Sequence, residues 1–232
     1  MSHCARVSQR GSRKYWLPGD LTRYSLFPMT HRIDFISVLD RIYRLLAVAA
    51  VGWFVFAFIL LHIVRDDLSL WHTTLSIYAV GPADWVLTLG FYAIALAQAM
   101  IAFRDFERRR STQDCVVPGL LLVAAAGAVL VALFPHDVKL PHNTGAVLQL
   151  GLFPISLLLR AFWLKEQRLQ TFNAVLAVLC GGAFLMLLLN DVLRAYAFYS
   201  FGFFQKAEII CIAVWLSGHA WYMPGSVERD HS

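Results

Sequence analysis

Apolar residues in this chain come in long unbroken runs, at about positions 45–64, 83–103, 116–134, 145–164, 171–192 and 203–222. Each run approaches the roughly 20 residues that a helix needs to cross about 30 Å of hydrocarbon. Transmembrane β-strands would instead alternate apolar and polar positions over about 10 residues, and a run such as 119–134 offers no polar face. The pattern predicts an all-α fold, an integral membrane bundle of six transmembrane helices. Composition agrees: 59% of the 232 residues are hydrophobic and 15% are charged, against roughly 45–50% and about 25% in soluble domains.

The charges then orient the bundle. The net charge of +5 is not spread evenly. Arg32, Arg41 and Arg44 precede the first run, Arg104 and Arg108 to Arg110 follow the second, and Arg160, Lys165 and Arg168 join the fourth to the fifth. Basic residues flanking membrane helices stay on the cytoplasmic side, which predicts an N-in/C-in, multi-pass protein of the inner (cytoplasmic) membrane. Topology accounts for the positive charge without a nucleic-acid partner; membrane lipids are the expected partners. The chain divides into a basic cytoplasmic segment (1–44), a six-helix domain (45–222) and a short tail (223–232). The first run begins too far along the chain for a cleaved signal peptide, so the first helix is expected to be retained. Cys4, Cys115, Cys180 and Cys211 show no metal-ligand spacing, and no disulfide is expected.

With this orientation the versatile side chains gather outside. The first outer connection holds Asp66, Asp67, His72, Ser76 and Tyr78, with His62 just inside the membrane; the second holds His136, Asp137, Lys139, His142 and Asn143; the third contributes Asp191 and Arg194, followed by Gln205, Lys206 and Glu208 on the last helix. Structural roles exist for many of them. Asn143 and Thr144 suit the N-cap of the fourth helix, Gly81-Pro82 with Asp84 suits the opening of the second, and Asp191 and Arg194 share a helical face. Glu208 and Asp191 lie near the apolar boundary, where a charge is costly unless it is paired or lines a wet cavity; Lys206 and Arg194 are the nearest candidate cations for Glu208. His136, Asp137 and His142 supply imidazole and carboxylate for a metal, but at no diagnostic spacing. No cofactor is expected: haem would need facing imidazoles inside the bundle, and His62 and His219 sit at opposite ends of their helices. Small residues in Ala124-Ala125-Ala126-Gly127-Ala128 and Gly181-Gly182-Ala183 are spaced for close helix packing.

The segments Leu75-Ser76-Ile77-Tyr78-Ala79-Val80-Gly81-Pro82, Leu133-Phe134-Pro135-His136-Asp137, His142-Asn143-Thr144-Gly145-Ala146 and Gly202-Phe203-Phe204-Gln205-Lys206 together resemble a known family. The chain is similar, from about Leu46 to Tyr222, to the prokaryotic membrane family catalogued as domain of unknown function 998. The resemblance implies a six-helix membrane protein in which Ser76, Gly81, Pro82, Phe134, Pro135, Asp137 and His142 are pattern positions. It implies no activity.

Three functions follow from the one-sided clustering of ionisable groups. In the first, Ser76, Asp137, His142, Asp191, Arg194 and Glu208 form a polar pocket at the extracytoplasmic face that binds a lipid headgroup or small amphiphile. In the second, a membrane hydrolase uses the same residues, with His142 as base or metal ligand and Asp137 orienting it. In the third, the cluster only holds helices together in an assembly protein.

Overall fold

The computed structural model describes residues 29–81, 83–107, 113–163, 167–193 and 201–222. They form α1 (Met29–Val64), α2 (Leu75–Tyr78), α3 (Asp84–Glu107), α4 (Val116–Leu133), α5 (Lys139–Trp163), α6 (Gln167–Leu193) and α7 (Phe201–Tyr222), with one 3₁₀ turn at Gln113–Cys115. No strand occurs among the described residues. A helix satisfies its backbone donors and acceptors within itself, which is what a hydrocarbon solvent demands.

The six long helices pack in chain order. Each touches its neighbour in sequence, and α7 closes the ring against α1. α3 also reaches α7 across the centre, which is filled by fully buried Leu61, Leu121, Phe153, Leu157, Trp215 and Leu216. Successive helices run up and down, so α2, the connections 65–83 and 134–138 and the start of α7 share one end, the α2 end. The opposite, terminal end carries the start of the bundle, the 3₁₀ turn at Gln113–Cys115 and the close of α7.

Large hydrophobic side chains cover the outside of the bundle, among them Leu45, Ile63, Phe162, Val178 and Trp221. A ring of apolar residues on the exterior of a well-packed helical core is the surface that lipid, rather than water, solvates. Five helical stretches are long and apolar enough to cross a membrane: Asp40–Val64, Asp84–Glu107, Val116–Leu133, Lys139–Trp163 and Gln167–Asn190. The sequence predicted six. Among the described residues α7, which carries Gln205, Lys206, Glu208 and His219, is not in the set.

Two boundaries differ from expectation. α1 begins at Met29, ahead of the apolar run, so the second part of the basic segment is already helical. α5 begins at Lys139 rather than beyond Thr144. Pro141 is tolerated in a first turn because its missing N–H would have no intrahelical acceptor there. Asn143 and Thr144 are therefore not caps, and the Thr144 hydroxyl donates back to the Leu140 carbonyl at 2.9 Å.

The two glycine-bearing motifs behave differently. A Cβ on Gly127 would lie 2.6 Å from the Gly145 carbonyl oxygen, and one on Gly145 would lie 2.7 Å from that of Gly127. α4 and α5 thus cross backbone to backbone, as small residues in membrane helices allow. Gly182 has no such neighbour, since a Cβ there would meet nothing within 4 Å. It lies on an open groove.

Candidate functional site

The connection 65–83 does not project into solvent. Its middle folds into α2, whose Leu75, Ser76 and Tyr78 are buried. Three hydrogen bonds strap it to the start of α7: Gln205 Oε1 accepts from the Leu75 N–H at 2.7 Å, the Trp71 carbonyl accepts from the Phe203 N–H at 3.0 Å, and Lys206 Nζ donates to the Leu70 carbonyl at 2.6 Å. Gly202 makes the approach possible, since a Cβ there would collide with the Thr73 carbonyl. Arg65 closes the loop from the other side by donating to both Asp67 carboxylate oxygens, at 2.8 and 2.9 Å, and to the Val80 carbonyl at 2.7 Å. The paired guanidinium holds the Asp67 carboxyl below the usual carboxylate range. It also lies 3.2 Å from where a Cβ on Gly81 would be, at a residue whose φ of +104° already favours glycine.

Behind this strap a small cavity of about 190 Å³ opens at the α2 end, between α2, α5, α6 and α7. Thr74, Ser76, His136, His142, Asn143 and Gln205 form its polar part. Ala146, Val147, Leu150, Phe184, Leu187 and Leu188 form its apolar part, deeper along α5 and α6. The His142 ring is buried, and its Nδ1 lies 2.8 Å from the Phe134 carbonyl oxygen. That oxygen only accepts, so Nδ1 carries a proton, and in the neutral ring Nε2 then keeps the lone pair. His136 stands edge-on to His142, with ring centroids 5.3 Å apart. Burial, then the neighbouring His142 and Lys139, push its pKa below the ordinary imidazole value, so it is neutral at pH 7. The Ser76 hydroxyl lies 3.2 Å from that of Thr74.

Of the six residues expected to form an outer pocket, Ser76 and His142 line this cavity together. Asp137 is exposed and does not line it; the partner of His142 is a backbone carbonyl, which removes the carboxylate orienter from a Ser–His arrangement. The side chain of Asp191 and all of Arg194 fall outside the described residues. Glu208 is fully buried but is not part of the cavity wall, and neither carboxyl oxygen has a hydrogen-bond partner among the described residues. Among the described residues no three His, Cys, Asp or Glu side chains converge as metal ligands would; His136 and His142 stand as a pair, with Asp137 in solvent. Cys115, Cys180 and Cys211 take part in no disulfide among the described residues.

Lys206 and Glu208 do not pair. Two residues apart on a helix, they point to different sides, and the Lys206 ammonium sits 4.9 Å from the centre of the Tyr78 ring while it bonds Leu70. Tyr78 in turn stacks on His62 at 4.4 Å. A double-mutant cycle of Lys206→Met and Glu208→Gln, followed by chemical unfolding in detergent, should therefore return a coupling energy under about 0.5 kcal/mol, the limit for independent sites. A coupling several times larger would restore the ion-pair reading.

A family model described as protein of unknown function (DUF998) matches residues 48–222. The chain belongs to this family. No curated protein and no solved structure matches it. The match covers the bundle from the middle of α1 to the end of α7.

This DUF998 protein carries a second polar cluster, at the terminal end, that the sequence pattern did not bring together. Arg160 of α5 donates to Asp105 of α3 at 2.6 Å and lies 3.1 Å from His219 Nε2 on α7. His219 stacks on Trp215, with centroids 4.8 Å apart, and the Trp215 indole donates to Asn173 Oδ1 of α6 at 2.8 Å. Asp40 of α1 pairs with buried Arg104 of α3 at 2.8 Å. Four helices are joined by the first set and two by the second. Acidic residues next to basic ones at the ends of apolar runs were the available signal: Arg104 and Arg160 were used up as topology charges, although Asp105 adjoins Arg104 in sequence.

Proposed function

We propose that this DUF998 protein crosses the cytoplasmic membrane six times, N-in and C-in, and that its α2-end cavity receives the polar head of a membrane amphiphile from the outer leaflet. α7 is counted as a span because three of its polar residues are internally occupied, Lys206 by Leu70 and Tyr78, Gln205 by Leu75 and His219 by Arg160 and Trp215, and Glu208 is buried inside the bundle rather than set against lipid. Internal pairing is how ionisable residues are accommodated within membrane helices. The basic segments favour the terminal end as cytoplasmic.

The single observation that carries the binding reading is the two-part lining of the cavity. Hydroxyl, amide and imidazole groups stand at the level of α2, and a leucine, valine and phenylalanine wall continues below them between helices. Ligand sites combine an apolar lining with a few convergent polar groups in this way. A cavity of about 190 Å³ is small beside the roughly 300 Å³ and upward of whole-ligand pockets; it fits a head, with the tail elsewhere. Native mass spectrometry of protein released from bilayer nanodiscs tests this. Wild type should retain lipid, and Ala146→Phe, which fills the cavity from α5, should lose it by about tenfold or more in occupancy ratio, with an unchanged melting temperature. Equal retention by both would sink the proposal.

A further inference from the structure

A second cavity of about 350 Å³ runs along the seam between α5 and α6 and is lined by Gly151, Pro154, Leu158, Val178, Gly182 and Phe184 among others. Phe184 belongs to both cavities. Its ring rests on Gly151, 3.1 Å from where a Cβ would be, so the absence of a side chain at 151 is what lets the ring sit at the junction. On α5 the lining continues from Asn143 and Val147 through Leu150 and Gly151 to Pro154 and Leu158. At 1.5 Å per residue that stretch is about 22 Å long, more than the roughly 15 Å of hydrocarbon in one leaflet. Polar groups occupy only its α2 end.

Among the described residues no Lys, Arg, Asp or Glu side chain lines the upper cavity, whose polar groups are two hydroxyls, two amides and two imidazoles, one of them held to a backbone carbonyl. Lys206, the nearest ammonium on α7, is directed to Leu70 and Tyr78 instead. Among the described residues no Arg or Lys forms the cavity wall, and Lys139, close enough to act on His136, is exposed and lines no part of it, whereas phosphate sites are built from Arg and Lys. Hydroxyls of a ligand, by contrast, can both donate to His142 Nε2 and accept from the amide groups.

We infer that the upper cavity and the α5–α6 groove are two halves of one site, which takes an amphiphile with an uncharged, hydroxyl-rich head and lays one hydrocarbon chain along the seam past Phe184. This rests on the head-binding proposal above and adds the head chemistry and the path of the chain. Entry is sideways from the leaflet, because the groove opens on the lipid-facing side where Ile155 and Val178 are exposed.

The experiment is photo-crosslinking in phosphatidylcholine nanodiscs with a monoacylglycerol that carries a diazirine in mid-chain. In wild type the label should fall on peptides of the 151–182 region about tenfold above the lipid-facing sides of α1 and α3. Gly182→Phe, whose new ring would enter open groove rather than a neighbour, should reduce it to that background, and Ile155→Trp serves as a second groove-filling variant from the other helix. Excess phosphatidic acid of the same chain length should leave the labelling unchanged. Label scattered evenly over the bundle, with lipid retention still sensitive to Ala146→Phe, overturns the groove and leaves the head site standing. Displacement by phosphatidic acid overturns the uncharged head. Retention insensitive to Ala146→Phe removes the head site, and this inference with it.

Discussion

Gly127→Val is expected to destabilise the bundle more than any change on its surface, by about 3 kcal/mol or more, the upper part of the range for overpacking a tight interior. The atoms that a Cβ would meet are the Gly145 carbonyl oxygen at 2.6 Å and the Gln149 amide nitrogen at 2.7 Å. Both are backbone in the middle of a helix, so no rotamer change makes room. α4 and α5 would have to separate along their whole shared face, and that separation would forfeit the dispersion attraction that chiefly holds helices together in lipid. Gly119→Ala on the same helix provides the control, because a Cβ there meets nothing within 4 Å; it should be neutral or slightly stabilising by helix propensity. Thermal unfolding in detergent, read by tryptophan fluorescence, separates the two. Similar melting temperatures for both variants would mean that the close crossing is absent in the protein.

These two glycines, 127 and 145, also bear on what a sequence can convey. The six apolar runs give the six long helices because a hydrocarbon solvent permits one way of satisfying a lone backbone segment. Helix ends are less legible: Asn143-Thr144 has the composition of a cap, yet Pro141 and Lys139 extend α5 beyond it. Gly127 and Gly182 sit in similar small-residue strings, but one lies in a helix crossing and the other on an open groove, a difference made by helix rotation that no local pattern encodes. The candidate site was partly legible for the same reason. Ser76 and His142 are both expected at the same end of the helices, and the ring order of helices brings them to one cavity. Asn143 and Gln205 joined them without a signal beyond their place in the chain, while Glu208, picked out by its charge at an apolar boundary, is buried and does not line the cavity.

The terminal end yields the other large effect. Arg104 is 1% exposed and pairs with Asp40 at 2.8 Å. Removing one partner of a buried ion pair leaves a charge that low-dielectric surroundings solvate poorly, at a cost of about 3–5 kcal/mol. Asp40→Ala should therefore approach the Gly127→Val effect, although its side chain is small and its position precedes the apolar run. The physical reason differs, and so does the remedy. Overpacking at Gly127 has no compensating partner change, whereas Arg104→Met in the Asp40→Ala background removes the stranded charge and keeps most of the side-chain volume. Replacement of a buried pair by apolar groups is often neutral or better, so the double variant should recover most of the lost stability. Urea or detergent unfolding of the two single variants and the double variant decides it: recovery in the double identifies Arg104 desolvation as the cost, while additive losses would show that Asp40 acts through helix α1 itself rather than through the ion pair.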